Sequence, residues 1–228
     1  CDWSSDVCSS DLNALLSVPA GGLARALEAS AAYGPIIRAG LEAVAGVVPG
    51  TAEYEQFFLV FQTVLDAGDP INWSAEAARY NNILLHEVVN DSTLPNYVPT
   101  APLSGTEPMV RVMRLKPYSS TQTSGSGQDL IGRFVPPASH GSLLDPSSSG
   151  AATAEMQGQM GSFLATNGRT VVVQNPATMV PQVAVETQPG SGVKEPGSSK
   201  KRKDGKGEKN TIESVKPGRK NPKPSDLN

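Results

Sequence analysis

The 228-residue chain is poor in cysteine, histidine and aromatic residues, and each shortage removes a class of explanation. Its two cysteines, Cys1 and Cys8, can build neither a disulfide scaffold nor a four-thiolate zinc site. Its two histidines, His86 and His140, are too few for a His-rich metal centre, and neither a metal nor a cofactor is expected. No apolar run approaches ~18 residues, so nothing reads as a membrane-spanning helix. The length suits one domain or one and a half.

What is present is unevenly distributed. From Lys194 onward there are 11 basic and 5 acidic residues, whereas the first 193 hold 8 basic and 17 acidic, so an acidic body carries a basic tail. Residues 183–228 contain no Phe, Trp or Tyr, are rich in Pro, Gly, Lys and Ser, and include KKRK at 200–203. Such a composition cannot bury a core, and a disordered, solvated tail is expected. Lys and Arg clusters attract phosphates, but no aromatic side chains interleave to stack on bases, which argues against nucleic acid as a partner. The opening string, CDWSSDVCSSDL over residues 1–12, has neither the basic start nor the apolar stretch of a signal peptide. It resembles the conceptual translation of a sequencing-library adapter, which would make both cysteines foreign to the protein and the true N-terminus missing.

Between these ends, residues 13–182 alternate extended and helical patterns. ALLSV (14–18), stopped by Pro19, Gly21 and Gly22, reads as a buried strand and tight turn. A helix follows from about Leu23 to the break at Gly34 and Pro35, and Ile37, Leu41, Val44 and Val48 mark one face of a second. From Thr51, the stripe Tyr54, Phe57, Phe58, Phe61, Val64 and Leu65 reads as a core-facing helix rather than a lipid-binding surface. Residues 83–89 are a continuous apolar run of the kind covered on both faces in a parallel sheet. Thr106, ahead of Glu107 and Pro108, is a plausible N-cap for a helix. Residues 119–127 read as a loop, 129–135 as a strand closed by Pro136 and Pro137, and 151–166 as a helix stopped at Asn167 and Gly168. RTVVVQNP supplies a last short extended piece. The alternation predicts an α/β layer architecture.

Two loops directly after predicted strands carry acid/base residue types: Asp91 in ILLHEVVNDSTLP (83–95) and His140 in RFVPPASHGSLLDP (133–146). Carboxyl ends of parallel strands share one edge of a sheet, so these two can converge across 49 positions. His86, inside an apolar strand, reads as a packed core residue. Asp145 is a rival acid for His140, but LLDP looks like a turn ahead of the next helix. Ser139 and Ser142 lie close to His140, though neither sits on a strand-to-helix elbow.

Taken with ALLSVPAGGLARALEASAAYGPIIRAGLEA, QTVLDAGDPINWSAEAA (62–78), PLSGTEPM (102–109) and ASHGSLLDP followed by AATAEMQ, the chain resembles the carboxyl-terminal part of bacterial extracellular lipases of the virulence-factor lipase family. The resemblance covers about residues 13–182. It implies a partial α/β-hydrolase fold, the last strands and helices of a mostly parallel sheet, and a Ser, Asp, His triad in that chain order. Asp91 stands at the acid position and His140 at the histidine position; the implied substrate is a lipid or other acyl ester, and the implied location is secreted or cell-surface. No GxSxG occurs in the 228 residues, nor an HGGG-like segment. Both are expected upstream, which would leave this chain with two triad members, no nucleophile and no hydrolytic activity. The competing function class is a non-catalytic interaction module that keeps a hydrolase scaffold and makes contacts through its basic tail.

Overall fold

The computed structural model describes residues 12–182, so the expectations for residues 1–11 and for the tail from 183 lie outside the described residues. In chain order the elements are β1 (Leu12–Ser17), α1 (Leu23–Ala29), α2 (Gly34–Ala45), α3 (Ala52–Leu65), α4 (Pro70–Tyr80), β2 (Asn81–Val88), α5 (Thr106–Met113), β3 (Lys116–Tyr118), β4 (Gln122–Thr123), β5 (Leu130–Phe134), α6 (Gly150–Ala165) and β6 (Thr170–Val171). Four strands form one parallel sheet in the order β1-β2-β5-β3, and β4 pairs with β6 in a small antiparallel ladder. The chain is therefore an α/β protein, as its alternating pattern predicts.

The apolar run of β2 is buried on both faces, which is why it lacks the alternation of a half-exposed strand. Leu84 and Val88 pack with Leu130, Phe134 and the α6 residues Ala152, Met156 and Phe163 on one side. Ile83 and Leu85 pack with Ile131 and the α5 residues Met109, Val110 and Met113 on the other. Each such fully buried aliphatic side chain contributes about 1.5–3 kcal/mol. This double layer holds β2 and β5 rigidly side by side, in register from Leu84 opposite Leu130 to Val88 opposite Phe134.

Helices α1 to α4 connect β1 to β2. Ala24, Tyr54 and Phe58 form a separate small core, with Ile37, Leu41, Phe61 and Leu65 around it. Asp69 joins this layer to the sheet loops: its carboxylate accepts from the backbone N–H groups of Gly22 (3.0 Å), Leu23 (2.7 Å) and Ile71 (3.1 Å) and from Gln62 Nε2 (2.8 Å). One buried side chain thus satisfies the starts of both α1 and α4. Gly22 is left-handed (φ 60°), and a Cβ there would lie 2.4 Å from Ser104 Oγ, so only glycine fits where the loops after β1 and β2 cross. Gly21 and Gly105 exchange two backbone hydrogen bonds at the same crossing.

Several local expectations are corrected. Val44 is 90% exposed and Val48 lies beyond α2, so Ile37 and Leu41 alone carry the inward face of that helix. On α3 only Tyr54 and Phe58 are fully buried, while Val64 stands 72% exposed. The N-cap of α5 is Gly105; the Thr106 hydroxyl instead donates to the Pro19 carbonyl at 2.7 Å, tying α5 to the loop after β1. The loop at 119–127 contains β4, and RTVVVQNP contributes only Thr170–Val171 as strand. Helix α4 and strand β3 were not anticipated. Among the described residues no helix is long and apolar enough to cross a membrane.

Candidate functional site

Because β2 and β5 are parallel neighbours, their carboxyl ends emerge side by side, and the segments that follow carry Asp91 and His140. Beyond Val88 the ladder is finished by Val89 N–H donating to Phe134 O (2.9 Å) and by Asn96, which donates to Val88 O (2.8 Å) and accepts from Asn90 N–H (2.9 Å). Asn90 adopts a left-handed conformation (φ 60°), which asparagine tolerates, and the chain turns sharply into Asp91. The Asp91 carboxylate is buried, with its side chain 2% exposed. Oδ1 accepts from Thr93 N–H (2.8 Å) and Leu94 N–H (3.3 Å), which locks the carboxylate in place. Oδ2 is left facing the His140 imidazole, 2.7 Å from Nδ1.

His140 sits in a tight turn after the cis Pro136–Pro137 bond. Ser139 N–H donates to Ser142 Oγ (2.8 Å), Ser142 N–H donates to Ser139 O (3.0 Å), and the Thr153 hydroxyl on α6 donates to Ser142 O (2.6 Å). The turn is thereby pinned to the buried face of α6 while the imidazole side chain remains 33% exposed. A carboxylate on Nδ1 selects the tautomer with its proton there and leaves Nε2 as the basic nitrogen. Nε2 hydrogen-bonds no serine hydroxyl among the described residues.

The remaining sequence candidates have other occupations. Ser142 is fully buried and, with Ser139, is spent on the turn. Asp145 accepts from the N–H (2.9 Å) and hydroxyl (2.8 Å) of Ser147, bonds that lower its pKa below the usual carboxylate range, and it does not pair with His140. His86 is fully buried edge-on to Phe134, with ring centroids 5.1 Å apart. Burial pushes its pKa down to about 3 against a weaker opposite pull from Gln159, so it is a neutral core residue.

Sequence reasoning missed a buried charge cluster directly beneath the two loops. Arg133 Nε donates to Glu87 Oε2 at 2.6 Å, and Nη2 and Nε donate to Glu107 Oε1 at 2.6 and 3.0 Å. Glu87 and Arg133 face each other in register, so the cluster cross-links the strands that deliver Asp91 and His140. Glu87 Oε1 and Arg133 Nη1 have no hydrogen-bond partner. Burial first, and then the Glu107 charge, pushes the Glu87 pKa up to about 8, with Arg133 opposing. The available signal was a charged residue, Glu87 or Arg133, inside each of two mostly apolar strands. Among the described residues no group of three or more His, Cys, Asp or Glu side chains is placed to hold a metal ion. No protein-family model, curated protein or solved structure matches the chain.

Proposed function

We propose that the chain is the distal part of a serine-type carboxylic ester hydrolase, a lipase or esterase with the α/β-hydrolase arrangement, in which Asp91 and His140 are two members of a Ser, Asp, His triad. The observation that carries this reading is the 2.7 Å contact between a buried, doubly braced carboxylate and a partly exposed imidazole at the carboxyl ends of adjacent parallel strands. His140 Nε2 takes the proton of a serine hydroxyl as its oxygen attacks the ester carbonyl, then delivers it to the departing alcohol. Water then attacks the acyl-serine ester with the same nitrogen as base, releasing the acid and restoring the hydroxyl. Asp91 keeps its negative charge throughout and stabilises the imidazolium.

In this reading the serine lies on upstream sequence, on a strand added beside β1, and the 228-residue chain alone turns over no ester. The test is hydrolysis of a p-nitrophenyl ester by the chain extended with its upstream sequence. His140→Gln and Asp91→Asn are each expected to lower kcat/KM by about 10³–10⁴-fold. Full activity in either variant, or ester turnover by the 228-residue chain that disappears in Ser139→Ala or Ser142→Ala, overturns the reading.

A further inference from the structure

A cleft of about 550 Å³ opens between α1, α3, the start of α4 and the loop at 101–104, with neither Asp91 nor His140 in its wall. Its volume falls within the range of small-molecule sites. Phe58, only 1% exposed, forms an apolar base that Ile71 and Pro102 extend. Leu59 and Leu103 also line the cleft, yet they are 69% and 64% exposed, so two large apolar side chains from separate elements stand open to water there.

The charges around this cleft balance everywhere except at one end. Arg25 pairs with Glu55 and with Glu28 (3.6 Å), and Glu28 also meets Arg38 (3.3 Å), so two arginines face two carboxylates. The buried Asp69 carboxylate, bound by the N–H groups of Gly22, Leu23 and Ile71, offsets the positive amino ends of both α1 and α4. Arg111 lies outside the lining and donates to the Pro102 carbonyl (3.1 Å) on the loop wall. Asp66 is left over. Its Oδ1 accepts from Gln62 Nε2 (2.8 Å), but Oδ2 accepts no hydrogen bond, and no ion pair among the described residues includes it. Asn72, whose Nδ2 donates to the Asp66 carbonyl (2.8 Å), keeps an Oδ1 with no partner beside it. Asp66 also caps the carboxyl end of the 14-residue α3, where the helix dipole adds negative potential. Gln62 has divided its amide hydrogens between Asp66 and Asp69 (2.8 Å), and Ser104 has given its own to the Gly22 carbonyl (2.8 Å). This end of the cleft therefore offers acceptors in excess and a negative potential, which together favour a cation that carries several N–H groups.

We propose that this cleft binds a primary alkylammonium ion, with its head at Asp66 and Asn72 and its hydrocarbon chain along Leu59, Phe58 and Leu103. The apolar wall selects the body of the ligand, and the uncompensated carboxylate selects the charge of its head. Leu59 precedes Asp66 by seven residues on α3, about 10 Å along the axis, so a chain of several methylenes connects the two. The site stands independently of the hydrolase reading, because binding needs neither the Asp91–His140 pair nor a nucleophile. Its test is calorimetric titration of the full chain, near neutral pH, with hexyl-, octyl- and decylammonium chloride below their micelle concentrations. Kd is expected to fall about fourfold per added methylene until the cleft is filled, and then to level off. Decanoate, with the opposite charge on the same chain, is expected to bind about tenfold more weakly than decylammonium. Asp66→Asn, at an exposed position and with an acceptor kept for Gln62, is expected to weaken decylammonium about fivefold and to leave decyl glucoside unchanged. Ala101→Trp is expected to weaken both about tenfold by filling the space, and Val44→Ser, on the outer face of α2, to change nothing. Absence of binding, decanoate binding as tight as decylammonium, or decylammonium affinity indifferent to Asp66→Asn overturns the proposal.

Discussion

Glu87→Gln probes the buried charge cluster most sharply. Arg133 brings one positive charge against the two carboxylates of Glu87 and Glu107, and all three side chains are buried. One negative charge is in surplus where desolvation penalises it. Geometry places the surplus on Glu87, since Arg133 directs both Nη2 and Nε at Glu107 while Glu87 keeps a single contact and an unpartnered Oε1. With its pKa raised from the ordinary 4.5 to about 8, Glu87 holds a proton more tightly in the folded chain than in the unfolded one. That stabilisation is complete below about pH 4.5 and is lost as the pH rises through about 8. His86 acts oppositely: lowered from 6.5 to about 3, it contributes stability that is present above pH 6.5 and lost as the pH falls through about 3. The two slopes oppose between about pH 4.5 and 6.5, which leaves the range above 6.5 to Glu87. Over about pH 6.5 to 9 the Glu87 contribution amounts to about 2 kcal/mol. Urea unfolding of the unmodified chain is expected to show that loss, whereas Glu87→Gln, whose amide copies the neutral acid, is expected to be flat across the same range. At about pH 6.5 the variant is expected to match the parent within about 1 kcal/mol. A loss of about 3–5 kcal/mol at that pH, with the slope unchanged, would show an ionised Glu87–Arg133 pair and refute the reasoning.

Three further outcomes follow from single side chains. Asp69→Asn exchanges one acceptor oxygen for a donor among four N–H groups, and a loss of about 2–4 kcal/mol in unfolding free energy is expected; a loss under about 0.5 kcal/mol contradicts the double-cap assignment. Ser142→Ala removes the acceptor of the half-buried Ser139 N–H and is expected to cost about 0.5–1.5 kcal/mol and to raise hydrogen exchange in the His140 turn, with unchanged exchange there the opposing result. His86→Leu keeps the packing but removes a group that must ionise in acid, so its acid midpoint is expected to move to lower pH; a midpoint that stays in place or rises assigns acid unfolding to other groups.

Strands β2 and β5 were legible because residues 83–89 and 129–135 are mostly apolar and closed by turn formers, and that also placed Asp91 and His140 at strand ends; β3, three residues long, was not. Their convergence depended on β2 and β5 being neighbours, although β3 lies between them in sequence, and on the Asn96 and Ser142 braces that aim them. Periodicity misled on α2 and α3, where Val44 and Val64 follow helical spacing yet face outward, since apolar spacing cannot say which side meets a core. Helix α4 escaped because its sequence has almost no net apolar character and buries fully only Ser74, although Asp69 ahead of Pro70 is a start signal. The charge cluster escaped because Glu87 and Arg133 are 46 positions apart and meet only through strand register.

The Asp91–His140 pair is tested most directly by long-range ¹H–¹⁵N correlation of the His140 ring in the unmodified chain and in Asp91→Ala. A hydrogen bond to a buried carboxylate is worth about 1.5–3 kcal/mol, enough to bias the neutral ring more than about tenfold toward the tautomer protonated on Nδ1. The expected spectrum shows that tautomer in the unmodified chain and loses it in Asp91→Ala. A neutral ring protonated chiefly on Nε2, or one indifferent to the loss of Asp91, contradicts the pairing on which the proposed function rests.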